Sequence, residues 1–118
     1  WSEGKHAGAS GIASSFSFYF SHHITTMEGG GIATNDPDCA DDLRSIRSHG
    51  WSRDIHKRAK KKLLQEYKVD EFRDLYTFYY SGYNLRSTDL NAFLGLGQLK
   101  KLNKYDKNKI FSTLFFMQ

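Results

Sequence analysis

Two short aromatic runs, Phe16-Ser17-Phe18-Tyr19-Phe20 and Tyr76-Thr77-Phe78-Tyr79-Tyr80, constrain the fold more than any other feature of the sequence. Each is too short for a helix and suited to a buried strand. Gly31-Ile32-Ala33-Thr34 reads as a third short strand. Helix signals fill the intervals. Asn35 or Asp36 can cap a helix, Pro37 fits its first turn, and Ala40, Leu43, Ile46 and Arg47 follow at helical spacing, with Gly50 as a stop. Ser87-Thr88-Asp89 can cap another helix, which carries Leu90, Phe93, Leu94, Leu96 and Leu99. Gly95 and Gly97 weaken it by ~1 kcal/mol each relative to Ala, so their small size is expected to serve close packing. Residues 51–75 form a charged connecting region with some helical periodicity at Leu63, Leu64, Tyr67 and Phe72. Ser81 to Asn84 reads as a turn, and a second amphipathic segment runs from Leu102 to Phe116. Strands alternating with helices predict an α/β layer architecture. Three strands are nevertheless few for a sheet covered on both faces.

The length of 118 residues, with 39% hydrophobic and 25% charged side chains, fits one folded domain and excludes a disordered chain. No apolar stretch approaches the ~20 residues of a transmembrane helix. The start, Trp1-Ser2-Glu3-Gly4-Lys5-His6, lacks the basic and apolar regions of a signal peptide, so the cytoplasm is the expected location and no membrane partner is expected. Cys39 is the single cysteine, which rules out an intrachain disulfide and a multi-cysteine metal or iron–sulfur site within this chain. The net charge of +4 is concentrated around Lys57–Lys62 and Lys100–Lys109. Such runs read as solvated helix faces, and with no nucleic-acid-binding motif present, no nucleic-acid partner is expected.

The densest polar cluster runs from Ser17 to Gly31 and contains His22, His23, Thr25, Thr26 and Glu28. In extended backbone the adjacent His22 and His23 would point to opposite faces, and Glu28 stands at no familiar ligand spacing, so no metal site is expected. A histidine beside hydroxyls and a glycine turn suits acid/base work, because imidazole titrates near neutrality. A structural histidine is the alternative.

The run Phe16-Ser17-Phe18-Tyr19-Phe20-Ser21-His22-His23-Ile24-Thr25-Thr26-Met27-Glu28-Gly29-Gly30 resembles the cofactor-lysine motif of the DegT/DnrJ/EryC1/StrS family, vitamin B6-dependent enzymes of nucleotide-sugar metabolism. The likeness continues through Ala33–Pro37 and Leu43–Trp51, and returns in Gly82–Ala92 and Gly95–Leu102. It implies part of the large domain of a fold-type I, aspartate aminotransferase-like enzyme, with pyridoxal 5'-phosphate or pyridoxamine 5'-phosphate as cofactor. Most members place a Schiff-base lysine where this chain has His22, and no lysine occurs between Lys5 and Lys57. Histidine there resembles the sugar 3-dehydratase branch. In that branch pyridoxamine phosphate condenses with the substrate's 4-keto group, the histidine moves a proton, and the 3-hydroxyl leaves. A related branch carries an iron–sulfur cluster on added cysteines, which Cys39 alone cannot supply.

The resemblance therefore implies His22 as the catalytic residue, Ser17 as a phosphate ligand, and Asn84 as a phosphate ligand reaching across a homodimer. Ser17 could instead bond only to backbone, and Asn84 could be a left-handed or side-chain-bonded turn residue. His23 and Glu28 are expected to be supporting loop residues, and Arg86 is a weaker candidate for sugar-nucleotide phosphate. The implied substrate is a nucleotide-linked 4-keto-6-deoxy sugar. An aminotransferase of the same family is the second reading, and a non-catalytic relic of the fold is the third. Residues 1–118 are expected to form a single incomplete domain, with the start on Trp1 reading as a truncation. Such a fragment would be a partial sheet layer, inactive and poorly soluble alone.

Overall fold

The computed structural model of the chain describes residue 4 and residues 6–102. These fall into two compact units, one holding described residues 6–14 and 33–86, the other residues 15–32 and 87–102. Strand β1 (Ala13–Ser17) pairs with β2 (Gly30–Thr34) in a two-stranded sheet. Thr34 Oγ1 donates to the Ile12 carbonyl at one end, and Phe18 N donates to the Gly29 carbonyl at the other, so the strands are antiparallel. The first strand thus starts three residues before the expected Phe16–Phe20 run. Only Phe16 and Ser17 of that run lie in the ladder, and Phe18 to Phe20 turn away from it.

In the first unit, α1 (Pro37–Ile46) begins where the sequence indicated. Asp36 caps it, accepting from Asp38 N at 2.9 Å and Cys39 N at 3.2 Å, with Pro37 in the first turn. The helix ends at Arg47, before Gly50, because the chain turns at Ser48 and His49 takes a left-handed φ of 63°. The charged region holds two helices, α2 (Lys57–Glu66) and α3 (Glu71–Asp74). No side chain caps α2, which is why its start left no local signal. Asp70 caps α3 by accepting from Arg73 N at 2.8 Å.

The strand expected at Tyr76–Tyr80 is absent. Tyr76 N and Thr77 N bond back to Arg73 O and Asp74 O, Tyr79 N bonds to Gly50 O, and just beyond the run Tyr83 N bonds to Ile46 O and Leu85 N to Arg47 O. The only ladder element here is one antiparallel bridge between Ser48 and Asn84. Two glycines allow this approach. Gly50 has φ +84°, and a Cβ on it would strike the Tyr80 carbonyl, while a Cβ on Gly82 would strike the backbone of His49 and Gly50.

Packing in this unit centres on polar groups. Leu63 and Tyr79 are the buried hydrophobic side chains among the described residues. Asp74 is 2% exposed and receives Ser52 Oγ at 2.6 Å, the Tyr79 hydroxyl at 2.8 Å and the Lys60 ammonium at 2.6 Å. Burial alone would raise the Asp74 pKa, but these donors outweigh it and hold the carboxyl below its ordinary value. Burial, and then the Asp74 charge, push the Tyr79 phenol up to about 12. Asp41 ties α1 to the start of α2, accepting from His56 N at 3.0 Å and meeting His56 Nδ1 at 2.8 Å.

In the second unit, α4 (Asp89–Leu99) carries a capping box: Thr88 Oγ1 accepts from Asn91 N, and Asn91 Oδ1 accepts from Thr88 N. Gly95 is buried, with room for a Cβ only 3.0 Å from the Thr26 methyl, as expected of a packing glycine. Gly97 does not serve that purpose, since a Cβ there would meet nothing within 4 Å. Leu90, Phe93 and Leu96 are exposed. The amphipathic segment expected from Leu102 to Phe116 lies outside the described residues beyond Leu102.

Candidate active site

Residues 18–29 connect β1 to β2 and carry both histidines. The connection closes on itself at its base. The Phe18 carbonyl accepts from Thr26 N at 2.9 Å and from Thr25 Oγ1 at 3.0 Å. Inside this closure the chain bends, with His22 N donating to the Tyr19 carbonyl at 3.1 Å. The bend corrects the extended geometry expected for the histidine pair. His22 and His23 both line one cleft.

That cleft has a volume of about 620 Å³ and is walled by Ser15, Phe16, Ser17, Phe18 and Ile24, with Leu102 at its edge. It brings Ser17 and His22 together. Ser17 is exposed at the end of β1, and its Oγ accepts from Tyr19 N at 3.3 Å, which leaves the hydroxyl proton available to a ligand. Ser15 was not singled out from the sequence. Its signal was the two-residue spacing from Ser17, which puts both hydroxyls on one strand face.

Asn84 belongs to the first unit. It takes part in the backbone bridge to Ser48, and its φ is not among the left-handed ones. Its side chain is exposed, as is that of Arg86. Glu28 contributes its backbone carbonyl, which accepts from Thr26 Oγ1 at 2.7 Å. Among the described residues no group of three or more histidine, cysteine or acidic side chains is arranged to hold a metal.

Nucleophile chemistry has little support in this cleft: its polar groups are two serine hydroxyls and two imidazoles, with no carboxylate among the lining side chains. The set instead suits binding an anionic ligand through hydroxyl donors and moving a proton on and off imidazole.

Comparison with known proteins gives the family. The sequence profile described as the DegT/DnrJ/EryC1/StrS aminotransferase family matches residues 2–116. The chain is 41% identical over 101 residues to the GDP-4-keto-6-deoxy-D-mannose 3-dehydratase of Escherichia coli O55:H7, covering 86% of this chain and 26% of that protein. It is 37% identical over 117 residues to the enzyme of the same name from Yersinia pseudotuberculosis, covering 95% of this chain and 29% of that one. A solved GDP-4-keto-6-deoxymannose-3-dehydratase variant with bound GDP-perosamine matches with a TM-score of 0.71 at 40% identity, over 86% of this chain and 26% of that one. The E. coli GDP-4-keto-6-deoxy-D-mannose-3-dehydratase with bound hydrated PLP (pyridoxal phosphate) matches with a TM-score of 0.68 at 34% identity, over 86% of this chain and 25% of that one. The chain thus spans about a quarter of the length of these relatives. Its fold is that of the corresponding part of their α/β domain. With nearly every residue matched by one profile, the chain belongs to the DegT/DnrJ/EryC1/StrS aminotransferase family.

Proposed function

We propose that the chain is part of a nucleotide-sugar enzyme dependent on pyridoxal or pyridoxamine 5'-phosphate, a 4-keto-6-deoxyhexose 3-dehydratase with His22 at the Schiff-base lysine position. The observation that carries this reading is the pairing of His22 with Ser17 in one cleft whose described lining includes no lysine.

The cleft suits the cofactor. Its volume falls within the ~300–1,000 Å³ range of small-molecule sites. Ser17, with Ser15 beside it on the strand face, supplies short-range donors for phosphate oxygens. Phe18 and Ile24, beyond the end of β1, offer apolar wall to a planar ring. When bound, the cofactor supplies an electron sink that makes loss of a sugar hydroxyl feasible.

His22 then acts as the proton carrier. Neutral imidazole takes a proton at its ring nitrogen, and the imidazolium can return one to the departing 3-hydroxyl, which leaves as water. Ser17 holds the phosphate by donating its hydroxyl proton. Asn84 reaches the phosphate of the second subunit in a homodimer, held in place by the Ser48 bridge. The substrate is a nucleotide-linked 4-keto-6-deoxy sugar, and GDP-4-keto-6-deoxymannose is the first to try. The setting is the cytoplasm, with neither membrane nor nucleic acid as partner. No helix among the described residues is long and apolar enough to cross a membrane.

The test uses the full-length protein. Reduction with borohydride in the presence of pyridoxal phosphate should leave no cofactor covalently attached to protein. His22→Asn should lower formation of the 3-deoxy sugar by about 10²-fold or more while cofactor binding persists. Cofactor trapped on a lysine, together with glutamate-dependent amination of the sugar, would overturn the dehydratase in favour of the aminotransferase. Absence of cofactor binding, even in His22→Lys, would instead mark a non-catalytic relic.

A further inference from the structure

Helix α4 grips the base of the histidine loop at two points. Thr25 N donates to Gln98 Oε1 at 2.7 Å, and Asn91 Nδ2 donates to the Thr26 carbonyl at 2.6 Å. A longer contact runs from Asn91 Nδ2 to the Glu28 carbonyl at 3.4 Å. Asn91 and Gln98 are seven residues apart, two helical turns, so both amides stand on one face of α4. Between them sits buried Gly95, against which the Thr26 methyl packs. We propose that Asn91 and Gln98 are positioning residues that fix the reach of His22 into the cleft.

The loop is short enough for this grip to matter. Six residues, Tyr19 to Ile24, separate the Phe18 carbonyl from its partners Thr25 and Thr26. Neither end is held by a buried apolar side chain, and Thr26 is the loop residue that is buried. The backbone at Thr25 and Thr26 is therefore the fixed point from which His22, three residues earlier, is aimed. Met27, immediately after, has a left-handed φ of 73°, a conformation costly for a non-glycine residue that the bonds on either side must hold. A shift of about 1 Å in a reacting group can cost on the order of 10²-fold in rate. Both amides are remote from the chemistry in sequence, yet one hydrogen bond from the loop.

The two functions of Asn91 can be separated. Its Oδ1 serves the cap by accepting from Thr88 N and Thr88 Oγ1, whereas its Nδ2 serves the loop. Asn91→Asp keeps the acceptor that caps α4 and replaces the donor with an oxygen facing the Thr26 carbonyl. Gln98→Glu keeps the acceptor for Thr25 N–H, and Gln98→Ala removes it.

The role rests on His22 as the proton carrier, and the experiment separates the two. In the full-length enzyme turning over GDP-4-keto-6-deoxymannose, Asn91→Asp and Gln98→Ala should each lower kcat about 10- to 100-fold. KM and cofactor binding should stay within about twofold, and Gln98→Glu should recover most of the loss in Gln98→Ala. Wild-type kcat in both Asn91→Asp and Gln98→Ala overturns the inference, as does a loss confined to KM or cofactor binding. Should Asn91→Asp fail to fold, the Gln98 pair decides alone. His22→Asn is the parallel control. If it is inactive while the α4 variants are normal, the positioning role fails and the reading of His22 stands; if it is fully active, that reading fails first.

Discussion

Asp74 shows how a single side chain can organise a unit with little apolar core. Three donors from three separate segments converge on it, so its charge is solvated by protein instead of water. Its folded pKa is depressed, so the stabilisation is complete above the unfolded value of about 3.9 and is lost as pH falls through the folded pKa. Thermal unfolding midpoints should therefore hold at neutral pH and drop below about pH 4. Asp74→Asn should lower stability by about 2–3 kcal/mol at neutral pH and flatten that acid limb. Tyr79 gives the opposite sign. With its pKa raised to about 12, its contribution is present below the unfolded value of about 10 and declines as pH rises towards 12. A phenolate absorbance titration should find Tyr79 ionising late, and Tyr80 too, which burial and then the Asp42 charge also raise. This cluster was not legible in the sequence, because Ser52, Lys60, Asp74 and Tyr79 share no local spacing. Motif resemblance singles out Ser17 and His22, while the cleft that both line depends on a bend that no local signal announces.

Element by element, what could be read was what is decided locally. Asp36 and Thr88 cap their helices through bonds reaching two or three residues ahead, and both starts were legible. Substituting either by Ala should cost about 1 kcal/mol, measurable by denaturant titration. The Tyr76–Tyr80 run failed as a strand for the complementary reason. Its aromatic composition satisfies strand propensity, but strand identity requires a neighbouring ladder, and its backbone meets the turn after α1 instead. Helix α2 was half-legible: the periodicity of Leu63 and Leu64 showed, and the uncapped start at His56 did not.

At the scale of the whole molecule, most large apolar side chains among the described residues face outward. Phe20 and Ile12 are each 78% exposed, and Phe93 is 72% exposed on α4. Exposed apolar surface on this scale favours association with other apolar surface. Produced alone, these 118 residues should bind a hydrophobic dye and sediment as a mixture of associated species; a dye-silent monomer would contradict this. The backbone crossing at Gly50 and Gly82 bears on how such a protein tolerates change. Tyr79 N bonds to Gly50 O, so residues 51–78 leave and return at nearly one point. They form an excursion whose length is decoupled from the frame that carries Asn84. Doubling the short link between α2 and α3 would add only about 0.6 kcal/mol of closure entropy. The charged middle is thus the place where this chain can accept an inserted peptide or a reporter tag and keep its register on both sides.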